Sequence, residues 1–425
     1  MTVRRTARSL LAFAAIAAGF LYCLPNHMLA DEYVHWPQAM RFAQGDWQLD
    51  PWLSTWPTMN FAVGCVLRLF HSEQLWLGRL TIVAFSLLAF AGFLRLANAV
   101  QGPTHAHAGT REIVALQWFA SPLMLLVCTV LYTDAPALAA LIWGAVGVAE
   151  RRRAPLLIAG IASIMFRQTH LLWFAALLAW HITLTWRAQS VQAGGSAVAK
   201  FVRVLREERW TIVVSAIAVI CWLVVVATTG GIAFGVNTQP AHHMGLGGVP
   251  NVFFSMAVWV AAFAPLAVGT LLTRNPLRTS RRDVVIAATI VFVIVVTASL
   301  FFEATLPGNT HPATLVLIRN QALQALNHTS GRVLMIVLCV VGALAWWRME
   351  FAPSVAPFKW PFFFFSALYL LPFSLIEQRY YLPMFTLLAA FRMPQKIRWE
   401  WAQLLWSLAL SSVLLYHVAY KGRFL

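Results

Sequence analysis

The chain has 425 residues, 60% of them hydrophobic and only 11% charged, and its mean hydropathy is +0.71. Soluble domains carry about 25% charged residues, so this composition excludes a soluble enzyme and points to one integral membrane domain over 1–425. The formal charge of +16 reads as basic loops on one side of a bilayer. No basic soluble surface is visible to serve nucleic acid, so the lipid bilayer is the expected partner and nucleic acid is not.

Arg4, Arg5 and Arg8 precede an apolar run over 10–24. With Met28-Leu29-Ala30 as a cleavage site this is a signal-peptide pattern; a retained anchor fits the same residues. The stretch 31–57 departs from the rest of the chain. It holds Asp31, Glu32, His35, Asp46 and Asp50 together with Trp36, Trp47, Trp52 and Trp56. Trp gathers where hydrocarbon meets water, and carboxylates there are costly without a task or a partner. A polar loop with an aromatic belt is the plain alternative. The run 59–70 is shorter than the roughly 20 residues a spanning helix needs, which predicts an interfacial or re-entrant helix. Apolar segments follow at 75–100, 112–131, 134–150, 154–166, 170–184, 210–229, 251–273, 284–303, 331–347, 360–376, 382–392 and 402–419. With the first, they predict about 13 crossings. Cys23, Cys65, Cys128, Cys221 and Cys339 all fall in apolar segments, without disulfide or metal-ligand spacing.

Charge orients these segments. With the N-terminus in the cytoplasm and 59–70 not counted as a crossing, the cytoplasmic stretches collect most of the 31 Lys and Arg, among them Arg151, Arg152 and Arg153, as the positive-inside bias requires. This makes 26–74 the first external loop, with interfacial helices. It makes 186–209 a cytoplasmic loop, with the Gly-, Ala- and Ser-rich stretch 191–199 as a flexible linker. The other polar motifs all fall on the external side: Tyr132-Thr133-Asp134, Phe166 to His170, the loop 230–251, Thr310-His311-Pro312 and Glu377 to Tyr381.

That one-sidedness predicts a single outward site. Sugar transfer from a lipid phosphate needs a base for the acceptor hydroxyl and cations or donors for the departing phosphate. Asp31 and Glu32 offer the base; Arg167, His170, His242, His243, His311 and Arg379 offer the rest. Each also has a plainer role. Asp31 and Glu32 are solvated loop residues in that reading, Asp134 caps a helix, Arg167 snorkels, and Glu377 pairs locally with Arg379. Adjacent His242 and His243 are a weak metal signal. No nucleotide-binding glycine motif is present.

At these residues the chain resembles the dolichyl-phosphate-glucose α-1,2-glucosyltransferases. The matching pieces occur in family order: Asp31-Glu32-Tyr33 with His35, Pro37-Gln38-Ala39, Asp50-Pro51 and Thr55 to Pro57; Tyr132-Thr133-Asp134; Met165 to Thr169; Gly230-Gly231-Ile232 with Gly235; and Glu377 to Pro383. The family's late Asp-Asn-Arg-His-Tyr run is absent after His311-Pro312, and the region between Gly235 and His243 diverges. The resemblance implies an all-α, polytopic GT-C-type fold with a catalytic first external loop and a retained first segment. It implies an inverting transfer of a hexose, glucose first, from a polyprenyl-phosphate-linked donor to a lipid-linked or surface glycan acceptor. Asp31 is then the base, with Glu32 second. Arg167, Arg379, His243 and His311 hold the donor phosphate, while His35, Asp134, Gln168, Glu377 and Tyr380 contact substrate. No cofactor and no metal are expected. The implied setting is a bacterial cytoplasmic membrane with a periplasmic site, or the endoplasmic reticulum in a eukaryote. A transporter or flippase of lipid-linked sugars is the alternative, although it would place its charges mid-membrane in broken helices.

Overall fold

The computed structural model describes residues 3–102, 109–192, 196–229, 248–273, 281–301, 318–373 and 376–421. The described chain is helical, with one isolated extended bridge between Phe351 and Arg392. The helices are α1 (Val3–Cys23), α2 (Glu32–Gln44), α3 (Thr58–Leu69), α4 (Leu75–Gln101), α5 (Thr110–Phe119), α6 (Pro122–Val127), α7 (Asp134–Ala149), α8 (Arg153–Phe166), α9 (Leu171–Gln192) and α10 (Ala197–Glu207). They continue as α11 (Arg209–Thr229), α12 (Val249–Ala262), α13 (Ala264–Thr273), α14 (Arg281–Phe301), α15 (Ile318–Asn327), α16 (Thr329–Arg348), α17 (Lys359–Leu370), α18 (Leu382–Phe391) and α19 (Ile397–Lys421).

Seven of the described helices are long and apolar enough to cross a bilayer, carried by α1, α4, α9, α11, α14, α16 and α19; α12 with α13, bent by 90° at their junction, makes an eighth only if the pair is taken as one span. The other expected crossings fall short of that length among the described residues. α3, α7 and α8 are apolar but have only 12, 16 and 14 residues, and 16 residues rise only about 24 Å against a hydrocarbon core of about 30 Å. The segment 112–131 is two helices, not one. The chain turns at Ala120 and Ser121, and Pro122 opens α6, where its missing N–H costs nothing. The linker expected at 191–199 is helical at both ends, since α9 reaches Gln192 and α10 starts at Ala197; 193–195 lies outside the described residues.

α7 and α8 form a tight hairpin. A Cβ on Gly147 would sit 2.5 Å from the Leu156 backbone nitrogen, so only glycine permits this approach. A hairpin puts the start of α7 and the end of α8 at the same end, which brings Asp134 to Arg167. Other contacts sort the remaining helix ends likewise. Arg79, in the first turns of α4, donates to the carbonyls of Pro25 and His27 beyond α1. At the opposite end Arg95 pairs with Glu150 and Arg153 with Glu208. There too Arg392 and Glu400 form a buried pair joined by Gln117.

Candidate active site

The site lies at the end of the bundle where α2, α7 and α18 begin and α8 stops. Asp31 occupies the N-cap position of α2 with helical backbone angles and makes no capping bond, so its carboxylate is turned elsewhere. It accepts from Nη1 of Arg379, whose Nε donates to Glu377. Arg379 stands in the short 3-10 turn Gln378–Tyr381 ahead of α18, with its guanidinium 5.5 Å from the centre of the Tyr132 ring. Burial is the largest single influence and raises the Asp31 carboxyl, but the charge and hydrogen bond of Arg379, with a smaller pull from His35, together leave its pKa below the usual carboxylate value. Burial works against the Arg379 charge, yet Asp31 and Glu377 hold its proton well above the normal range. Asp31 is therefore a carboxylate at neutral pH, half-exposed beside a fixed cation.

A second guanidinium closes the other side. Arg167 has extended backbone angles between α8 and the turn Gln168–His170, is buried, and donates to Asp134. Asp134 begins α7 without capping it; its work is to hold Arg167. The Arg167 guanidinium lies 5.5 Å from the Tyr380 ring centre, and Tyr380 stacks on Phe373 at 4.3 Å. Asp31, His35, Thr55, Arg167, Gln168, Arg379 and Tyr380 all line one pocket, together with Ser54, Thr169 and Phe373.

His35 has a defined tautomer. Asn60 Nδ2 is 2.9 Å from the His35 carbonyl oxygen and 3.2 Å from its Nδ1. The carbonyl accepts only, so the amide nitrogen must face it. The same nitrogen can then only donate to Nδ1, and the proton of the neutral ring sits on Nε2. Burial outweighs the pull of Asp31 and keeps His35 below its ordinary pKa, so the ring is neutral at pH 7 and is a donor rather than a cation. Gln38 ties the loop over the pocket to α2, donating to Gln48 O at 3.0 Å and accepting from Asp50 N at 2.7 Å. Gln168 donates to Ser54 O at 2.7 Å. Among the described residues the Thr55 hydroxyl in the pocket wall is buried without a hydrogen-bond partner, a donor ready for a ligand.

Glu32, the second candidate for the base, does not line that pocket. It is wholly buried, receives Arg79 on both oxygens at 2.9 and 2.6 Å, and accepts from the backbone N–H groups of Leu29 and Leu131 at 2.9 and 3.0 Å. Its four lone-pair sites are filled, so it is a strut joining three segments. Glu377 and Asp134 stand behind the two arginines rather than lining the pocket. His242, His243 and His311 lie outside the described residues. Asn60 was not singled out from the sequence, although an amide inside the apolar run 59–70 is a signal for a buried partner. The same holds for Arg79 in the apolar run 75–100.

The profile of the DIE2/ALG10 family matches residues 25–390. Among solved structures, ArnT from Cupriavidus metallidurans in the apo state aligns with a TM-score of 0.43 and 14% identity, over 96% of this chain and 76% of that one. ArnT from the same organism bound to undecaprenyl phosphate aligns with a TM-score of 0.44 and 15% identity, over 96% and 77%. No curated protein matches significantly. The family match spans the loop that carries Asp31, the hairpin that carries Asp134 and Arg167, and the turn that carries Arg379, and the chain belongs to the DIE2/ALG10 family of multi-pass membrane glycosyltransferases that use a lipid-linked donor.

Proposed function

We propose that this chain moves a hexose, glucose first, from a polyprenyl phosphate to a hydroxyl of a lipid-linked or surface glycan, with inversion at the anomeric carbon. The observation that carries the reading is the Asp31–Arg379 ion pair, set in one pocket with Arg167. Asp31 takes the proton of the acceptor hydroxyl as that oxygen attacks the anomeric carbon. The bond from that carbon to the phosphate oxygen breaks, and the polyprenyl phosphate leaves with the electron pair. Arg167 and Arg379 take up the charge that develops there. A single displacement inverts the centre. His35, as a neutral Nε2–H donor, and the Thr55 hydroxyl orient the sugars. The pocket opens on the non-cytoplasmic side, opposite the basic helix ends.

Arg379 also links donor binding to the base. In the free protein it depresses the Asp31 pKa, which weakens a proton acceptor. A donor phosphate that draws on the Arg379 cation relieves that depression, so Asp31 gains basicity when the leaving group is in place. Transfer by the purified protein tests the reading. Polyprenyl-phosphate-[¹⁴C]glucose, its mannose analogue and UDP-glucose are offered with a lipid extract as acceptor. Label passing from a polyprenyl phosphate hexose into a new product supports it; label passing only from UDP-glucose overturns the lipid donor.

A further inference from the structure

α10 joins two helices that carry membrane spans, Gln168–Gln189 before it and Arg209–Thr229 after it, so it lies at the bilayer surface by covalent connection alone. Ser196 caps it, its hydroxyl accepting from Ala199 N at 3.2 Å. The helix has three faces. Val204 and the following Glu208, four residues apart, are buried against the bundle. Glu208 anchors that face by accepting from Arg153 at 3.0 Å, Thr185 at 3.2 Å and Thr211 at 2.9 Å. Val198, Phe201, Val202 and Leu205 recur at the i, i+3, i+4, i+7 spacing of one helix face and are between 41% and 70% exposed. Lys200, Arg203 and Arg206 make a third face away from those four, shared with Glu207, whose carboxylate is taken up by Gln189 and Arg153. Trp210, 66% exposed at the start of α11, has Arg209 over its ring at 5.6 Å, a pair suited to headgroup depth.

We propose that α10 is a surface-lying membrane helix whose apolar face enters the acyl boundary and whose cationic face binds the headgroups of anionic phospholipids. A soluble helix would not leave Phe201 and Leu205 uncovered beside a row of cations, whereas an interfacial helix needs both. The buried Glu208 end fixes the helix so that the apolar face is presented to the bilayer beside α9 and α11. The inference rests on the two flanking spans and is independent of the transferase reading.

The full chain is tested in nanodiscs of phosphatidylcholine, with and without phosphatidylglycerol, after replacing the exposed Cys23, Cys65 and Cys221 by Ser. A spin label at Phe201→Cys is expected to relax mainly with oxygen, and one at Arg203→Cys mainly with a water-soluble nickel chelate. Equal relaxation of both by the chelate places the helix in water and overturns the proposal. Phosphatidylglycerol is expected to raise Tm, and the rise to be lost in the triple variant K200Q/R203Q/R206Q. No rise in the parent, or the same rise in the triple variant, overturns headgroup binding even where the label depths agree.

Discussion

Two neighbouring carboxylates at the head of α2 have opposite fates, and the difference is in their partners. Asp31 faces the pocket and shares one cation; Glu32 is saturated by Arg79 and two backbone donors. Asp31→Asn is therefore expected to lower kcat by about 10²–10⁴-fold, the usual worth of a general base, with Tm little changed. Glu32→Gln leaves Arg79 buried without its counter-charge and is expected to cost about 3–5 kcal/mol of stability, read as a fall in Tm. A Glu32→Gln protein that melts normally but has lost transfer would reverse the two roles. The pH dependence has a definite sign. Because Arg379 holds the Asp31 pKa down, the proposed base is ionised through neutral pH, and activity is expected to fall only as pH drops below the ordinary carboxylate range. Arg379→Gln removes that depression, so the acid limb of kcat/KM is expected to move to higher pH; an unmoved limb would detach Arg379 from the base. The acidic pair itself was legible in the sequence as a candidate base, and the choice between its members was not. That choice depends on Arg379, 348 residues away in the chain, and on Arg79, 47 residues away, and no local spacing encodes such pairings.

The helices that position these residues are held close by small side chains. α2 carries His35, α3 carries Asn60, and Gly64 of α3 packs directly on α2. A Cβ on Gly64 would lie 2.8 Å from both the Ala39 carbonyl oxygen and the Phe42 Cβ. Gly64→Ala is thus expected to wedge α2 from α3 at a cost of about 1–3 kcal/mol and to lower kcat by disturbing the Asn60–His35 bond, although no pocket residue is changed. Gly19→Ala, where a Cβ would meet nothing within 4 Å, is the matched control and is expected to leave both Tm and kcat alone. Equal behaviour of the two variants would mean that the α2–α3 contact does not set the site. Helix extents were largely readable, because apolar runs and Pro or Gly punctuation follow local rules. Gly45 ends α2 in the left-handed region with φ 86°, as a helix stop favours. The amphipathic helix α10 was hidden by a Gly-, Ala- and Ser-rich flank that reads as linker, and the break in 112–131 by unbroken hydrophobicity on both sides of Ser121.

Among the described residues, a cluster of cations and the site sit at opposite ends. Arg95, Arg151 to Arg153 and Arg392 gather where α4, α7 and α18 finish, together with the cations of α10; Asp31, Arg167 and Arg379 gather where α2 and α18 begin and α8 stops. Each Lys or Arg near an anionic leaflet is worth about 1 kcal/mol, so several at one end set a strong preference for which way the bundle lies, and the positive-inside bias assigns that end to the cytoplasm. On the proposed reading the site faces outward, the side from which a lipid-linked sugar and a growing glycan would both be reached without crossing the bilayer again. Two cysteines in a background lacking the exposed native ones test this directly. Trp52→Cys lies in the loop beside the pocket, where Trp52 is 57% exposed; Arg203→Cys lies on the cationic face of α10. In intact cells a membrane-impermeant maleimide is expected to label Trp52→Cys and to reach Arg203→Cys only after permeabilisation. Labelling of Arg203→Cys alone would invert the molecule and put the acceptor in the cytoplasm. Labelling of both in intact cells would mean that the two ends are not separated by the bilayer, against the sorting of ion pairs that divides Arg79 from Arg95 along one helix.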